Sequence, residues 1–238
     1  MPEKDYLHIL RQLKEIDFDG EVAYSRYNEP LADRKLFIKR VKQAREYLPN
    51  AKLRTNTNGD YLTKDYIIEL EGVGFNELFI QQYLRNKESY NHKKIKKELL
   101  RKLKKLDIPA TLLIDIENHK IEYDLSFKNM TVHIRARNFL IDGSSRGDTV
   151  PIAENYVRTQ KCKQVFNNMY IDYNGDVMIC CALRSDIPEH KIGIMGNIKQ
   201  NSLSDIFTGE KYKKWREHHL QDGEKKGVCR TCRHDVVL

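Results

Sequence analysis

The amino-terminal part of the chain alternates between helical and strand-like patterns, and this alternation restricts the fold more than any other feature. Apolar residues recur at helical spacing at Leu7, Leu10 and Leu13, whereas short apolar stretches such as "NELFIQQY" fit strands. The predicted order is helix 4–16, strand 20–27, helix 33–48, strand 51–57, helix 63–71, strand 76–83, helix 90–106 and strands 109–116 and 130–136.

We find no hairpin turn between the predicted strands, so each strand is expected to reach the next through a crossover connection. Such connections are right-handed and build a parallel sheet, either open or closed into a barrel. The pattern therefore predicts an α/β fold. The stretch "DGSSRGDTVP", residues 142–151, is rich in turn formers and indicates a boundary. We predict two domains, 1–145 and 146–238.

The composition excludes several classes of protein. The 238 residues contain no apolar run near the ~20 residues that a membrane helix needs, and the first residues lack the pattern of a signal peptide. We expect a cytoplasmic protein without a membrane partner. The net charge is +8, but the lysines concentrate on the helix 90–106, whose apolar face carries Ile95, Leu99 and Leu103. Because no nucleic-acid-binding motif accompanies this basic face, nucleic acid is not an expected partner.

Polar residues follow two of the predicted strands. Glu29 in "RYNEPL" closes the first, and Thr57 and Asn58 in "RTNTNGD" close the second. Ligands of parallel α/β proteins bind at the carboxyl ends of the strands, so these residues are candidates for a binding site. The alternative interpretation is ordinary turn chemistry at both places.

Thiols concentrate in the last third of the chain. The five cysteines are Cys162, Cys180, Cys181, Cys229 and Cys232. An odd number of thiols in a reducing compartment indicates metal or cluster ligands rather than disulfides. The pair "CRTC" can present two sulfurs to one iron–sulfur cluster or one zinc ion. The alternative is a set of free buried thiols.

The first cysteines flank a predicted hairpin, "YIDYNGDVMI", with its turn at Asn174 and Gly175. A zinc ribbon would supply two C-x-x-C knuckles instead. Cys180 and Cys181 are adjacent, and neighbouring residues of a strand point to opposite faces. We therefore expect Cys180 to reach the centre and Cys181 to face away as a packed thiol.

Together these motifs resemble a known family. The order of Cys162, Gly175 with Cys180 five residues later, "GNIKQNSLSDIF", a tryptophan-containing helix and C-x-x-C is similar to the auxiliary-cluster extension of radical S-adenosylmethionine enzymes. This extension occurs in a twitch form with one cluster and a SPASM form with two, and four well-placed cysteines fit the twitch form. Upstream, "FDGEVAYSRYNEPL" and "AKLRTNTNGDYLT" resemble the second and third βα units of the family's partial barrel.

The resemblance implies the architecture and the cofactors. It implies an incomplete parallel (β/α)6 partial TIM barrel that lacks its first strand, followed by a small α+β cluster-binding domain. It places Glu29 where the family binds the amino group of S-adenosylmethionine, with Thr57 and Asn58 in the same cofactor site. The ligands that it implies for one auxiliary 4Fe–4S cluster are Cys162, Cys180, Cys229 and Cys232.

A cluster with four cysteine ligands has no open iron, which suits electron transfer and hence oxidation. The resemblance thus implies an oxidoreductase that acts on a sugar-like or peptide substrate. The most similar functional types are the aminocyclitol dehydrogenases of antibiotic biosynthesis and the sulfatase-maturing enzymes. In the former an arginine before the first cluster cysteine contacts the substrate, and Arg146 in "SSRGD" matches it. The alternative role of Arg146 is a salt bridge at the domain junction.

One family motif is absent from the sequence. No cysteine precedes Cys162, so the C-x-x-x-C-x-x-C loop that binds the S-adenosylmethionine-cleaving cluster is not present. We expect a chain that has lost this segment through truncation, a misplaced start, a split gene or degeneration, and that is inactive alone. A partner chain would then supply the strand and the cluster, and residues 22–27 would form an exposed edge prone to self-association. The alternative is a non-catalytic cluster-binding or zinc-binding module that acts with a partner.

Overall fold

The computed structural model describes residues 1–84, 88–152 and 155–234. The chain divides into two compact units, which are described separately. The first unit is Leu13–Asn138, and the second combines Met1–Gln12 with Phe139–Leu238. The functional division into 1–145 and 146–238 stays a prediction. In the described part of the chain, no helix has both the length and the apolar character needed to cross a bilayer.

The elements up to residue 138 follow the predicted order closely. The helices are α1 (Glu3–Glu15), α2 (Arg34–Tyr47), α3 (Lys64–Gly72) and α4 (His92–Leu106). The strands are β1 (Glu21–Ala23), β2 (Lys52–Thr57), β3 (Glu77–Gln82), β4 (Ala110–Ile116), β5 (Lys120–Leu125) and β6 (Thr131–Arg137).

Side-chain caps explain where the helices of the first unit begin. The carboxylate of Asp33 accepts a hydrogen bond from a backbone amide in the first turn of α2. Thr63 does the same for α3, and Asn91 does so for α4. Each cap satisfies an amide that has no partner inside its helix, which stabilises the helix by roughly 1 kcal/mol. Helix α4 ends at Asp107, whose φ of 52° takes the chain out of the helix.

The strands of the first unit form one six-stranded sheet in the order β1-β2-β3-β6-β5-β4. Strands β1, β2, β3 and β6 are parallel, and this parallel part brings their carboxyl ends to one edge. Helix α4 buries Ile95 and Leu99 completely, and it packs against β3 and β6. The predicted mixture of helices with a parallel sheet is therefore confirmed.

The expectation of a wholly parallel sheet is wrong for one strand, β5, which runs against the others. Strand β5 pairs antiparallel with both β4 and β6, and "KIEYDL" was not predicted as a strand. A tight turn joins β4 to β5 because Asn118 adopts a φ of 58°, a conformation that asparagine tolerates. In β5 the apolar residues Ile121, Tyr123 and Leu125 alternate with charged residues, so the period of two that indicates a strand was present in the sequence and was overlooked. Closure into a partial barrel stays a prediction.

Strand β1 is shorter than the predicted strand 20–27. It covers Glu21–Ala23, and among the described residues it pairs only with β2. The amide of Asn56 donates to the hydroxyl of Ser25, and the Asn28 side chain bonds the backbone of Tyr24 and Arg26. These side-chain bonds compete with strand pairing and end the ladder early. The exposed edge is therefore only three residues long.

The second unit contains short elements around a small antiparallel sheet. Its elements are α5 (Phe139–Asp142), α6 (Gln164–Asn167), β7 (Tyr170–Ile171), β8 (Asp176–Met178), β9 (Ile194–Asn197), α7 (Leu203–Thr208) and α8 (Glu210–Leu220). Strands β7 and β8 form the predicted hairpin, and β9 pairs with β8. The turn requires glycine at position 175, where φ is 94° and a Cβ would lie 3.1 Å from the amide oxygen of Asn197.

Arg45 on α2 generates a prediction about stability. Its guanidinium donates five hydrogen bonds, to the backbone oxygens of Leu48, Pro49, Ala51 and Gly74 and to Asn76 Oδ1. We expect Arg45→Ala to lower the free energy of unfolding by about 2 to 3 kcal/mol, because charge-assisted bonds are lost at several partly buried oxygens. Urea denaturation followed by circular dichroism measures the change.

The matched control for Arg45 is Lys42→Ala. Lys42 is exposed on the same helix, so its removal should change the free energy of unfolding by less than about 0.5 kcal/mol. Equal losses in the two variants would contradict the proposed role of Arg45.

Candidate functional site

All five cysteines line one cavity in the second unit. Cys162 precedes α6, and Cys180 and Cys181 follow β8, while Cys229 and Cys232 lie in the loop after α8. None of the five forms a disulfide bond. The apolar residues around the cavity are Val165, Ile179, Ala182, Leu183 and Val228. The structure thus brings the four predicted ligands together, from three separate parts of the sequence.

Burial makes two of these thiols, Cys180 and Cys229, difficult to ionise. The apolar surroundings raise the pKa of Cys180 far above its usual value, and the neighbouring Cys181, Cys229 and Cys232 raise it further. Burial also raises the pKa of Cys229 to about 12, with Cys232 and Cys162 adding to the effect. Thiolates this close repel one another unless cations lie among them. Metal ions that replace the protons would remove this repulsion, so the donor set fits a metal centre.

The thiols surround a cavity rather than a single point. Among the residues that the structure describes, no three side chains of metal-binding type converge closely enough to hold one ion. A tetrahedral zinc needs all four sulfurs at about 2.3 Å from one atom. In a 4Fe–4S cluster each sulfur binds a different iron, so the ligands stand further apart. This arrangement therefore fits a cluster better than zinc.

Cys181 does not face away as expected. Strand β8 ends at Met178, so the alternation of side chains along a strand does not apply to Cys180 or Cys181. Cys181 lines the same cavity, and its sulfur lies 3.9 Å from Nε2 of His234. The structure therefore offers five thiols to the cavity.

Two buried nitrogen-bearing side chains also line the cavity, and the sequence reading missed both. His219 is 1% exposed, and its Nε2 lies 3.5 Å from the sulfur of Cys229. Burial lowers the pKa of His219 to about 4, helped by nearby cationic groups, so the ring is neutral at pH 7. Its ring stacks on Trp215, one helical turn earlier in α8. That i, i+4 spacing was the available sequence signal.

The second of these side chains is Arg158, which is also 1% exposed. Its Nη1 donates to the backbone oxygens of Cys232 and His234, at 3.2 and 2.6 Å, and lies 4.0 Å from the sulfur of Cys232. Its Nε and Nη2 donate to the backbone oxygens of Gln160 and Lys161. Arg158 therefore connects the segment before Cys162 to the C-x-x-C loop.

In the first unit, Glu29, Thr57 and Asn58 meet at the carboxyl ends of the parallel strands. The Thr57 hydroxyl donates to Glu29 Oε1 at 2.6 Å, and the Asn58 amide donates to Oε2 at 2.8 Å. The amide of Leu31 also donates to Oε1, at 3.2 Å. A carboxylate can accept about four hydrogen bonds, so one further donor can still bind. The cluster is consistent with both candidate roles: it stabilises two strand ends, and it can accept a bond from a cationic ligand.

Arg146 lies in the loop after α5 and is exposed. Its φ is 49°, and its backbone oxygen accepts a hydrogen bond from the Thr149 hydroxyl. It is not among the residues that line the cysteine cavity. A contact between Arg146 and a substrate stays a prediction.

A prediction about the ligands follows from the positions of the two adjacent thiols. Burial and then the other thiols, including both cysteines of the C-x-x-C pair, raise the pKa of Cys180. The Cys181 sulfur instead lies beside His234. We expect Cys180→Ala to lose most of the visible iron–sulfur absorption after anaerobic reconstitution, and Cys181→Ala to keep it. The opposite result would make Cys181 the ligand and Cys180 the packed thiol.

Comparisons with known proteins agree with this site. Residues 162–233 match the SPASM iron–sulfur cluster-binding domain. The chain is 24% identical over 237 residues to the S-adenosyl-L-methionine-dependent 2-deoxy-scyllo-inosamine dehydrogenase of Niallia circulans, covering 98% of this chain and 80% of the dehydrogenase.

Solved structures share the fold. The crystal structure of BtrN in complex with AdoMet and 2-DOIA matches with a TM-score of 0.66 and 21% identity, covering 100% of this chain and 82% of BtrN. Selenomethionine BtrN in an open conformation matches with a TM-score of 0.61 and 19% identity, at 100% and 80% coverage. The chain is thus similar to an S-adenosyl-L-methionine-dependent dehydrogenase over nearly its whole length, and its residues 162–233 match a SPASM iron–sulfur cluster-binding domain.

Proposed function

We propose that the chain works as an oxidoreductase of the radical S-adenosylmethionine type, with one auxiliary 4Fe–4S cluster as electron acceptor. The observation that carries the proposal is the set of five cysteines around one cavity, within the matched SPASM domain. Similarity to a S-adenosyl-L-methionine-dependent dehydrogenase supports the oxidative direction.

The proposed cluster ligands are Cys162, Cys180, Cys229 and Cys232. Four thiolates occupy all four irons, so no iron is left to coordinate a substrate. The chain's role at this site is then to hold the cluster away from water, which the apolar lining of the cavity favours. Such a site suits electron transfer.

The second part of the proposal concerns Glu29. When bound, S-adenosylmethionine supplies the radical that removes a hydrogen atom from the substrate. The carboxylate of Glu29 would accept a hydrogen bond from the ammonium group of the cofactor. Thr57 and Asn58 donate to the two oxygens of this carboxylate and so fix its orientation. Because these 238 residues contain no C-x-x-x-C-x-x-C motif, the cleaving cluster would be held by residues outside them, in a longer chain or in a partner.

The proposed substrate is a sugar-like ring rather than a peptide. The similar dehydrogenase acts on 2-deoxy-scyllo-inosamine, and the similar crystal structure contains 2-DOIA. We include Arg146 as a substrate contact in this proposal, since it lies shortly before Cys162 and is exposed.

A second candidate function is a non-catalytic cluster-binding or zinc-binding module that acts with a partner chain. Two observations favour this non-catalytic module. These 238 residues contain no C-x-x-x-C-x-x-C motif, and the only partner of strand β1 among the described residues is β2. A partner strand could add to this edge, although its length of three residues limits the gain. Metal analysis separates the cluster from zinc.

The first test of the proposal is the metal content. After anaerobic expression, we expect about four irons and four acid-labile sulfides per chain, because the cavity offers cysteine ligands to a cluster. A double variant that carries Cys162→Ala and Cys229→Ala should lose both iron and sulfide. One zinc per chain without sulfide would overturn the cluster and support the zinc-binding module.

The second test concerns the cofactor. We expect Glu29→Gln to raise the Kd for S-adenosylmethionine about tenfold, because a charge-assisted hydrogen bond worth about 1.5 kcal/mol is lost. Equilibrium dialysis with labelled cofactor measures the affinity. Glu46→Gln is the control, since it removes the same charge from an exposed position on α2. An unchanged affinity in Glu29→Gln would leave Glu29 with its structural role alone.

A further inference from the structure

Arg158 carries a buried charge for which the described residues provide no counter-charge. It is the largest of the fully buried side chains among the described residues. Its side chain bonds backbone oxygens and approaches the Cys232 sulfur, and within the described residues no carboxylate lies at ion-pair distance from it. A buried guanidinium without an anion is costly, so such a residue needs an explanation.

We propose that Arg158 is a positioning residue for the auxiliary cluster: it holds the C-x-x-C loop in place and raises the cluster's reduction potential through its charge. This inference rests on the proposed cluster at Cys162, Cys180, Cys229 and Cys232.

The holding part of the proposal follows from the hydrogen bonds. The guanidinium binds two backbone oxygens just before Cys162 and two at or just after Cys232. The backbone of Arg158 adds two short bonds, since its amide donates to the oxygen of Arg230 and its oxygen accepts from the amide of Lys225, both at 2.7 Å. One residue therefore fixes the distance between the first ligand and the last two.

The electrostatic part follows from the charge of the cluster. Four thiolates outweigh the positive charge of the iron–sulfide core, so a cysteine-ligated cluster is an anion and becomes more negative when it accepts an electron. Arg158 Nη1 lies 4.0 Å from the Cys232 sulfur, in surroundings with little water to screen the interaction. The positive charge stabilises the reduced cluster more than the oxidised one, and a higher potential makes the cluster a better electron acceptor.

The chain offers a matched control in the same loop. Arg230 lies between the two C-x-x-C cysteines but is exposed, so water and salt screen its charge. Arg230→Gln and Arg158→Gln remove the same charge at neighbouring places. Arg158→Lys keeps the charge but loses the planar fork that binds several oxygens at once.

The test compares wild type, Arg158→Gln, Arg158→Lys and Arg230→Gln after anaerobic reconstitution. Iron and sulfide are determined first, and the midpoint potential of the auxiliary cluster is then measured by a redox titration followed by electron paramagnetic resonance. We expect a lower potential in Arg158→Gln, a potential close to wild type in Arg158→Lys and no shift in Arg230→Gln. The unfolding temperature should fall in both Arg158 variants, because both lose hydrogen bonds that the guanidinium makes to the backbone.

Two results would overturn the proposal. One is an Arg158→Gln protein that has its full iron content and the wild-type potential, and the other is an Arg230→Gln protein with an equal shift. If Arg158→Gln holds no cluster, Arg158→Lys decides. A cluster at the wild-type potential in Arg158→Lys supports the role of the charge. Loss of the cluster in Arg158→Lys as well overturns that role. A wild-type chain without iron and sulfide would instead refute the proposed function itself.

Discussion

Bringing five thiols into one apolar cavity is the constraint on which the second unit depends. As thiolates they repel one another, and the apolar lining disfavours the charged form, so burial raises the pKa of Cys180 and Cys229. A 4Fe–4S cluster would satisfy four such sulfurs, because each binds a different iron. The hairpin, the loop after α8 and the segment before α6 each deliver part of this donor set.

Much of the first unit could be predicted because its signals are local. The periodicity of α2 and α4 and their caps at Asp33 and Asn91 lie within a few residues of the helix ends. Strand β5 was missed although its signals were local: Ile121, Tyr123 and Leu125 alternate with charged residues, and its partners β4 and β6 are its neighbours along the chain. Strand β1 was predicted too long because side-chain bonds, which have no periodicity, end its pairing.

The candidate sites show the same limit. The resemblance to the auxiliary-cluster extension implied Cys162, Cys180, Cys229 and Cys232 as one set, and the structure places them around one cavity. Glu29, Thr57 and Asn58 were grouped by the rule that parallel strands end at one edge, and the structure joins them by hydrogen bonds. Cys181 was predicted wrongly because its orientation depends on where β8 ends. A one-residue difference in a strand boundary changes the direction of a side chain, and boundaries are the weakest part of a pattern-based prediction.

Arg158 could not have been found by any pattern, because its role depends on backbone oxygens from two separate segments. The chain has 42 lysines and arginines, and nothing in their spacing distinguishes one from another. Burial does: among the described residues, only Arg158 and Lys225 of this set are buried. Lys225 donates to the backbone oxygens of His218 and Gln221, at the end of the helix that carries His219. Arg158 thus fixes the C-x-x-C loop, and Lys225 fixes the end of α8. The charge of Arg158, which is costly to bury, lies where an anionic cluster would compensate for it.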